Sequence, residues 1–120
     1  MKNIRLNAII AAVGLAVMLL LSAQSQAGFY DGSKLLQRCE SDSAAENGAC
    51  LGYIVGIIDS QTILVGWSDL DEPHFCNPDR ATAGQLVKVV TKFLNENPEK
   101  LHLEAAGAVT YALYEAFPCS

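Results

Sequence analysis

The stretch from Ala49 to Asp59 constrains the fold more than any other part of the chain. It follows Ser43-Ala44-Ala45-Glu46, a capping-box pattern that is typical of a helix start. In helical projection the segment has one broad apolar face, formed by Cys50, Tyr53, Ile54, Ile57, Ile58, Gln61 and Leu64. We therefore predict a long helix from about Ala44 to Val65 and expect it to be the buried centre of the fold.

Glycine recurs at every fourth position of this helix, at Gly48, Gly52 and Gly56, and forms a second stripe beside the apolar face. A glycine inside a helix costs about 1 kcal/mol relative to alanine, so we expect another backbone to pack against this stripe. Asp59 projects onto the same stripe, where a carboxylate would need hydrogen-bond donors. A membrane-spanning helix is not expected, because the apolar run is only about half of the ~20 residues that a bilayer needs.

Residues 1–27 have the pattern of an export signal. Lys2 and Arg5 precede a short apolar core, and Ser25-Gln26-Ala27 resembles a cleavage site. We predict an exported mature domain over residues 28–120. Without Lys2 and Arg5 it has six basic against 13 acidic residues, a net charge of −7. An acidic chain without a basic cluster is not expected to bind nucleic acid or anionic membranes.

Three further helices are predicted: one over residues 31–40, one that begins at the capping box Thr82-Ala83-Gly84-Gln85, and one from about Pro98 to Ala116. No alternating strand pattern of useful length occurs, so the sequence predicts an all-α fold, a small four-helix bundle. Between the second and third helices lies a loop with Trp67 and an acidic run.

Four cysteines, Cys39, Cys50, Cys76 and Cys119, lie in the mature part, and an even count in an exported chain implies two disulfides. Three pairings are possible. The predicted topology favours Cys39–Cys50 across a short hairpin. It also favours Cys76–Cys119, which fall at the same end if the third and fourth helices are antiparallel.

No enzymatic site is predicted. A thiolate nucleophile at Cys76 beside His74 or His102 would need a reduced cysteine, and the parity of the cysteines favours disulfides. Asp69 and Asp71 with His74 and Cys76 have no recognised metal-ligand spacing, and no nucleotide-binding or hydrolase motif occurs. We predict no catalytic residue, no metal and no cofactor.

Two groups of residues are candidates for binding a protein partner, because exposed aromatic side chains act as anchors at interfaces. The first group is the acidic loop, with Trp67, Asp69, Asp71, Glu72 and His74. The second is a helix face with Tyr111, Tyr114 and Glu115. An acidic rim would suit a basic partner.

A set of motifs occurs in order along the mature chain. They are Leu35-Leu36-x-x-Cys39, Ala49-Cys50-x-Gly52-Tyr53-Ile54-x-Gly56-x-x-Asp59, Phe75-Cys76-x-Pro78, Gly84-Gln85-Leu86-Val87, Asn97-Pro98-Glu99 with Leu101-His102, and Ala112-Leu113 with Ala116-Phe117-Pro118-Cys119. This ordered set resembles the Rap/Tai immunity proteins, which protect bacteria against amidase effectors of the type VI secretion system.

The resemblance implies a small helical periplasmic protein, usually a homodimer, that binds a cysteine-dependent peptidoglycan amidase and blocks its active-site cleft. Such a homodimer could pack along the glycine stripe or along the tyrosines. Two alternatives remain open at this point. One is an acid-stress chaperone of the HdeA-like kind, which protonation of the 13 acids would activate. The other is a helical-bundle protein with a different role in the cell envelope.

Overall fold

A computed structural model describes Ile4, residues 29–76 and residues 79–120. The described part contains four α-helices and no strand: α1 (Gly32–Cys39), α2 (Ala44–Gly66), α3 (Ala83–Glu96) and α4 (Ala105–Ala116), with a 3₁₀ helix (Pro98–Lys100) between α3 and α4. The predicted all-α fold is therefore confirmed. Apart from Ile4, the predicted signal peptide lies outside the described residues.

One of the two predicted capping boxes forms. The side chain of Asp31 caps α1 by accepting a 2.7 Å hydrogen bond from the amide of Lys34. Thr82 and Gln85 form the complete predicted capping box at α3. At α2 the predicted box is absent: Ser43 makes no side-chain cap, and Glu46 instead pairs with Arg38 on α1 at 2.8 Å. Glu46 therefore pairs α2 with α1 instead of capping the start of α2.

The predicted fourth helix begins later than expected. Residues 101–104 leave the helical path after the 3₁₀ helix, and α4 starts at Ala105. The reason is tertiary: the carbonyls of Leu101 and Leu103 accept hydrogen bonds of 2.9 Å from the amides of Ser33 and Gly32. These are free amides of the first turn of α1, which need partners outside their own helix.

A single hydrophobic core lies between the four helices. Its buried members come from every helix and from the loop after α2: Leu35, Cys50, Ile54, Phe75, Leu86, Val90, Phe93, Leu94, Ala105, Ala108, Val109, Ala112 and Leu113. Each fully buried leucine or phenylalanine contributes about 1.5–3 kcal/mol relative to exposure. On α3 the helical spacing of apolar residues predicts an inward face of Leu86, Val89, Val90, Phe93 and Leu94, and all of these except Val89 are buried.

The expectation that α2 is the buried centre of the fold is wrong. Only Cys50, Ile54 and Gln61 of this helix are buried. By length and composition alone α2 could cross a membrane, with a mean hydropathy of 1.5 over its most apolar window, of which 17% is buried. The apolar stretch is thus longer than the sequence pattern suggested. The core helices of soluble proteins can be equally long and apolar.

The glycine stripe of α2 also differs from the expectation. A β-carbon built on Gly48, Gly52 or Gly56 would meet no atom of the described residues within 4 Å, so no other backbone of this part of the chain packs there. Asp59 is likewise exposed rather than held in a crevice. The close approach that the sequence placed on α2 occurs instead at Gly32, where Leu101 lies against the glycine.

Both favoured disulfides are present, Cys39–Cys50 and Cys76–Cys119. The first joins α1 to α2 beside the core, and Cys50 is buried. The second joins the loop after α2 to the chain end after α4, and both of its cysteines are exposed. The two cross-links therefore hold opposite ends of α2 and its loop to the rest of the bundle.

Candidate partner-binding surface

The acidic loop, residues 67–76, begins with a well-defined helix ending. The amide of Ser68 donates to the carbonyl of Val65 at 3.1 Å, and the amide of Asp69 donates to that of Leu64 at 3.0 Å. This is the hydrogen-bond pattern of a Schellman motif, which needs a left-handed residue after the helix cap. Ser68 occupies that place with a φ of 61°, the one positive φ among non-glycine residues that the structure describes. The Schellman motif therefore fixes the direction in which the chain leaves α2 after Trp67.

Gln61 fixes the other side of the loop. Its side-chain oxygen accepts hydrogen bonds from the amides of His74 at 2.7 Å and Phe75 at 3.3 Å. Its side-chain nitrogen donates to the carbonyl of Phe75 at 3.0 Å. Gln61 is the buried polar residue of α2, and all three contacts go to the loop. The sequence placed Gln61 on the apolar face of the helix but gave no sign of this role.

The end of the loop is anchored in the core and to the chain end. Phe75 is 1% exposed. Next to it, the amide of Cys76 donates to the carbonyl of Phe117 at 2.9 Å, in addition to the disulfide with Cys119. The loop is thus held at both ends, which leaves residues 67–72 as its projecting tip.

The tip presents the side chains that the sequence analysis selected. Trp67 is 73% exposed, and Asp69, Asp71 and Glu72 are exposed as well. The side chain of His74 is exposed, while its backbone is held by Gln61. Two residues that sequence reasoning missed extend the apolar area: Ile63 (48% exposed) and Leu64 (37% exposed) come from the last turns of α2. The sequence placed Leu64 on the apolar face that was expected to be buried, and its exposure corrects that expectation, while Ile63 lies outside that face.

The tyrosine face, Tyr111, Tyr114 and Glu115, lies on the outside of α4. Tyr111 and Tyr114 are each about half exposed, with ring centroids 6.3 Å apart. The ammonium of Lys100 lies 4.7 Å from the ring centre of Tyr111 and 4.8 Å from that of Phe93, a cation–π arrangement. Sequence analysis missed Lys100 and the neighbouring Leu103, which border a groove of about 550 Å³ beside Tyr111.

Among the described residues, no hydrogen bond, ion pair or ring contact joins this face to the loop tip. An interface typically has an apolar centre within a polar rim. The loop tip has this composition, because Trp67, Ile63 and Leu64 adjoin three carboxylates.

The thiolate nucleophile that the sequence raised as a possibility at Cys76 is not available. All four cysteines are in disulfides, so Cys76 has no thiol to pair with His74 or His102. Across the residues that the structure describes, no three His, Cys, Asp or Glu side chains are grouped so as to hold a metal ion.

Comparison with known proteins bears on the whole of this domain. The family described as Rap1a immunity proteins matches residues 31–119, which include both disulfides, the acidic loop and the tyrosine face. No curated protein matches the chain. Immunity proteins act by binding and inhibiting a partner rather than by catalysis. Since the match spans nearly all of the folded domain, the chain belongs to the Rap1a immunity protein family.

Proposed function

We propose that this protein is a periplasmic immunity protein that binds a peptidoglycan amidase effector of the type VI secretion system and blocks its active-site cleft. Membership of the immunity family and the two disulfides indicate an exported protein with an effector partner. The proposal adds the chemistry of that partner and the surface that binds it.

The observation that carries the proposal is the preformed, exposed tip of the acidic loop. Trp67 at 73% exposure is costly to leave in water and suits an apolar pocket. The three carboxylates beside it suit a basic rim and would speed encounter with the partner. The described residues contain no reactive thiol, which supports inhibition by occupation of space rather than by a covalent step.

Steric blocking fits an amidase target for a simple geometric reason. The cleft of a peptidoglycan amidase must admit a peptide stem, and a rigid loop inserted into that cleft excludes the stem without any covalent step. A rigid loop loses little conformational entropy on insertion, and this favours tight binding.

The test is inhibition and binding of a purified cysteine-dependent amidase effector, first the one encoded next to this gene. We expect the intact chain to abolish peptidoglycan cleavage at equimolar concentration. Replacing Asp69, Asp71 and Glu72 by lysine should lower the association rate at least about tenfold at low salt. A matched triple replacement of exposed acids elsewhere, Asp42, Glu96 and Glu99, should change it far less. Equal effects of the two triple variants would remove the loop from the proposal.

The tyrosine face is the second surface to test. Tyr111→Ala with Tyr114→Ala removes its two exposed anchors while the buried residues of α4 stay in place. If the loop makes the contact, this double variant retains the inhibition that Trp67→Ala loses. The reverse result would transfer the binding site to α4.

We propose in addition that two copies associate along the exposed side of α2, as the family resemblance implies for a homodimer. The support is that Gly48, Gly52 and Gly56 leave an open path for another backbone, with Leu51 exposed beside them. Gly52→Leu should convert a dimer to a monomer in light scattering, whereas Gly107→Leu, at an equally open site on α4, should not. A dimer that survives Gly52→Leu would exclude this face.

Export through residues 1–27 belongs to the same proposal. Mass spectrometry of the protein from the periplasm should give a chain that begins at Gly28. Reduction of its two disulfides should add about four mass units. A chain that retains Met1, or that is found in the cytoplasm, would contradict it.

A further inference from the structure

The side-chain amide of Gln61, buried on α2, is hydrogen-bonded to the acidic loop. Gln61 is 9% exposed, and its side chain makes three hydrogen bonds, all to backbone groups of His74 and Phe75. These partners lie 13 and 14 residues further along the chain. A glutamine amide has two donors and a carbonyl acceptor with two lone pairs. Both lone pairs of the Gln61 side-chain oxygen accept hydrogen bonds from backbone amides of the loop.

Loss of this side chain would affect the loop more than the bundle. The amides of His74 and Phe75 and the carbonyl of Phe75 would lose their partner in a region that is buried or partly buried. Unpaired buried groups of this kind are strongly disfavoured, so the segment would move to reach water. Phe75 and the Cys76–Cys119 bridge would still hold the loop's end and the Schellman motif its start, but residues 71–74 between them would be free to vary.

We propose that Gln61 is a positioning residue for partner binding, which holds the exposed tip at residues 67–72 in the conformation that the partner accepts. The inference rests on the proposed function of the loop. Gln61 itself is buried and touches no partner. It raises affinity by keeping most molecules in the binding-competent shape, since apparent affinity falls with the fraction that is competent.

The test uses the full mature chain and the amidase effector that the intact chain inhibits. Gln61→Met keeps the length of the side chain and removes all three hydrogen bonds. We expect about a tenfold lower association rate with little change in the dissociation rate, because fewer molecules are competent at encounter. Gln61→Glu keeps the two acceptor bonds but sets a buried carboxylate oxygen against the carbonyl of Phe75, so it should also weaken binding. Gln37→Met, at an exposed position of α1, is the matched control and should bind normally.

A double-mutant cycle separates positioning from general destabilisation. In a background without the tip's contacts, with Trp67, Asp69, Asp71 and Glu72 all replaced by alanine, the residual binding no longer depends on the shape of the tip, so Gln61→Met should have much less effect than in the intact chain. An equal effect in both backgrounds would show that Gln61 does not act through the tip and would overturn the inference. Hydrogen exchange of the His74 and Phe75 amides in the free chain provides a direct check. Their protection should fall in Gln61→Met while that of α3 and α4 is retained, and unchanged protection would also overturn the inference.

Failure of the inference and failure of the proposed function give different results. If Trp67→Ala and the triple lysine variant weaken binding but Gln61→Met binds within about twofold of the intact chain, the loop is the site and Gln61 does not position it. If Trp67→Ala and the triple variant leave binding unchanged, the loop is not the site and the proposed function fails with it.

Discussion

The backbone of Gly32 lies so close to Leu101 that a β-carbon on residue 32 would be 3.2 Å from both the α-carbon and the carbonyl oxygen of Leu101. The same carbonyl accepts a hydrogen bond from Ser33, and that of Leu103 accepts one from Gly32. The segment before α4 is thereby fixed against the first turn of α1. The contact explains why a glycine is buried here while Gly48, Gly52 and Gly56 of α2 are exposed.

Gly32→Ala should destabilise the protein by about 1–3 kcal/mol, because the added methyl group would push apart two backbones that are already hydrogen-bonded. Denaturant unfolding followed by circular dichroism measures the change. Gly52→Ala is the matched control. It adds the same methyl group where no atom lies within 4 Å, and it should raise the free energy of unfolding by about 0.5–1 kcal/mol. Equal destabilisation by both would show that the Gly32 contact is not tight.

Ser68→Gly should stabilise the protein. Ser68 has a φ of 61° at the end of α2, a conformation that costs an L-residue about 1–2 kcal/mol. Glycine adopts it without that cost but loses more entropy on folding, so we expect a net gain of about 0.5–1 kcal/mol. The same unfolding measurement applies. Ser60→Gly, within α2, should instead destabilise, and a loss of stability in Ser68→Gly would contradict the Schellman geometry.

Alkaline pH should weaken the fold through Tyr53. Burial, the charge of Glu104 and the neighbouring Tyr30 raise the pKa of Tyr53 above its usual value of 10.0, against a smaller opposite effect of a hydrogen bond with the Ala106 backbone. The unfolded chain therefore releases this proton at lower pH than the folded protein does. The stability that depends on neutral Tyr53 is complete below about pH 10 and is lost as the pH rises through the raised pKa.

Unfolding free energies measured between about pH 9 and pH 11.5 should thus fall more steeply in the intact protein than in Tyr53→Phe. Comparison of the two variants cancels the titration of the other tyrosines and of lysine. Tyr114→Phe, at an exposed ring, serves as the control and should behave like the intact protein. Identical slopes for the intact protein and Tyr53→Phe would contradict this prediction.

The two disulfides should differ in their reduction. Cys76 and Cys119 are both exposed, whereas Cys50 is 1% exposed and its partner Cys39 is half-buried. Because exchange requires access of a thiolate to sulfur, a mild reductant should open Cys76–Cys119 first. Stepwise alkylation with mass spectrometry gives the order. Loss of this bridge, whose cysteines are 43 residues apart, should cost about 4 kcal/mol in the chain-entropy model. Earlier reduction of Cys39–Cys50 would contradict the prediction.

The sequence predicted correctly what depends on local chemistry and on periodicity. Apolar residues at helical spacing located α3 and its buried side chains, and the Thr82–Gln85 box located its start. The cysteine count with the order of helices predicted both bridges. The acidic loop was located by its composition, and its tip is exposed; partner binding by this tip stays a prediction.

The errors arose where a residue had two possible partners. Glu46 fits a capping box as well as an ion pair, and only the position of Arg38 on the neighbouring helix decides between them. Residues 101–104 fit a helix, but their carbonyls are taken by the first turn of α1. The glycine stripe of α2 indicates close packing without saying against what, and nothing in the described chain lies there.

The sequence by itself determined that this chain is a small, acidic, disulfide-linked helical domain, because helix periodicity, charge and cysteine number are properties of the residues alone. The tertiary structure decided that Gly32 is the close contact and that Gln61 holds the loop. Both depend on groups that are distant in sequence, and a hydrogen bond or a steric contact between distant groups exists only once the helices have packed.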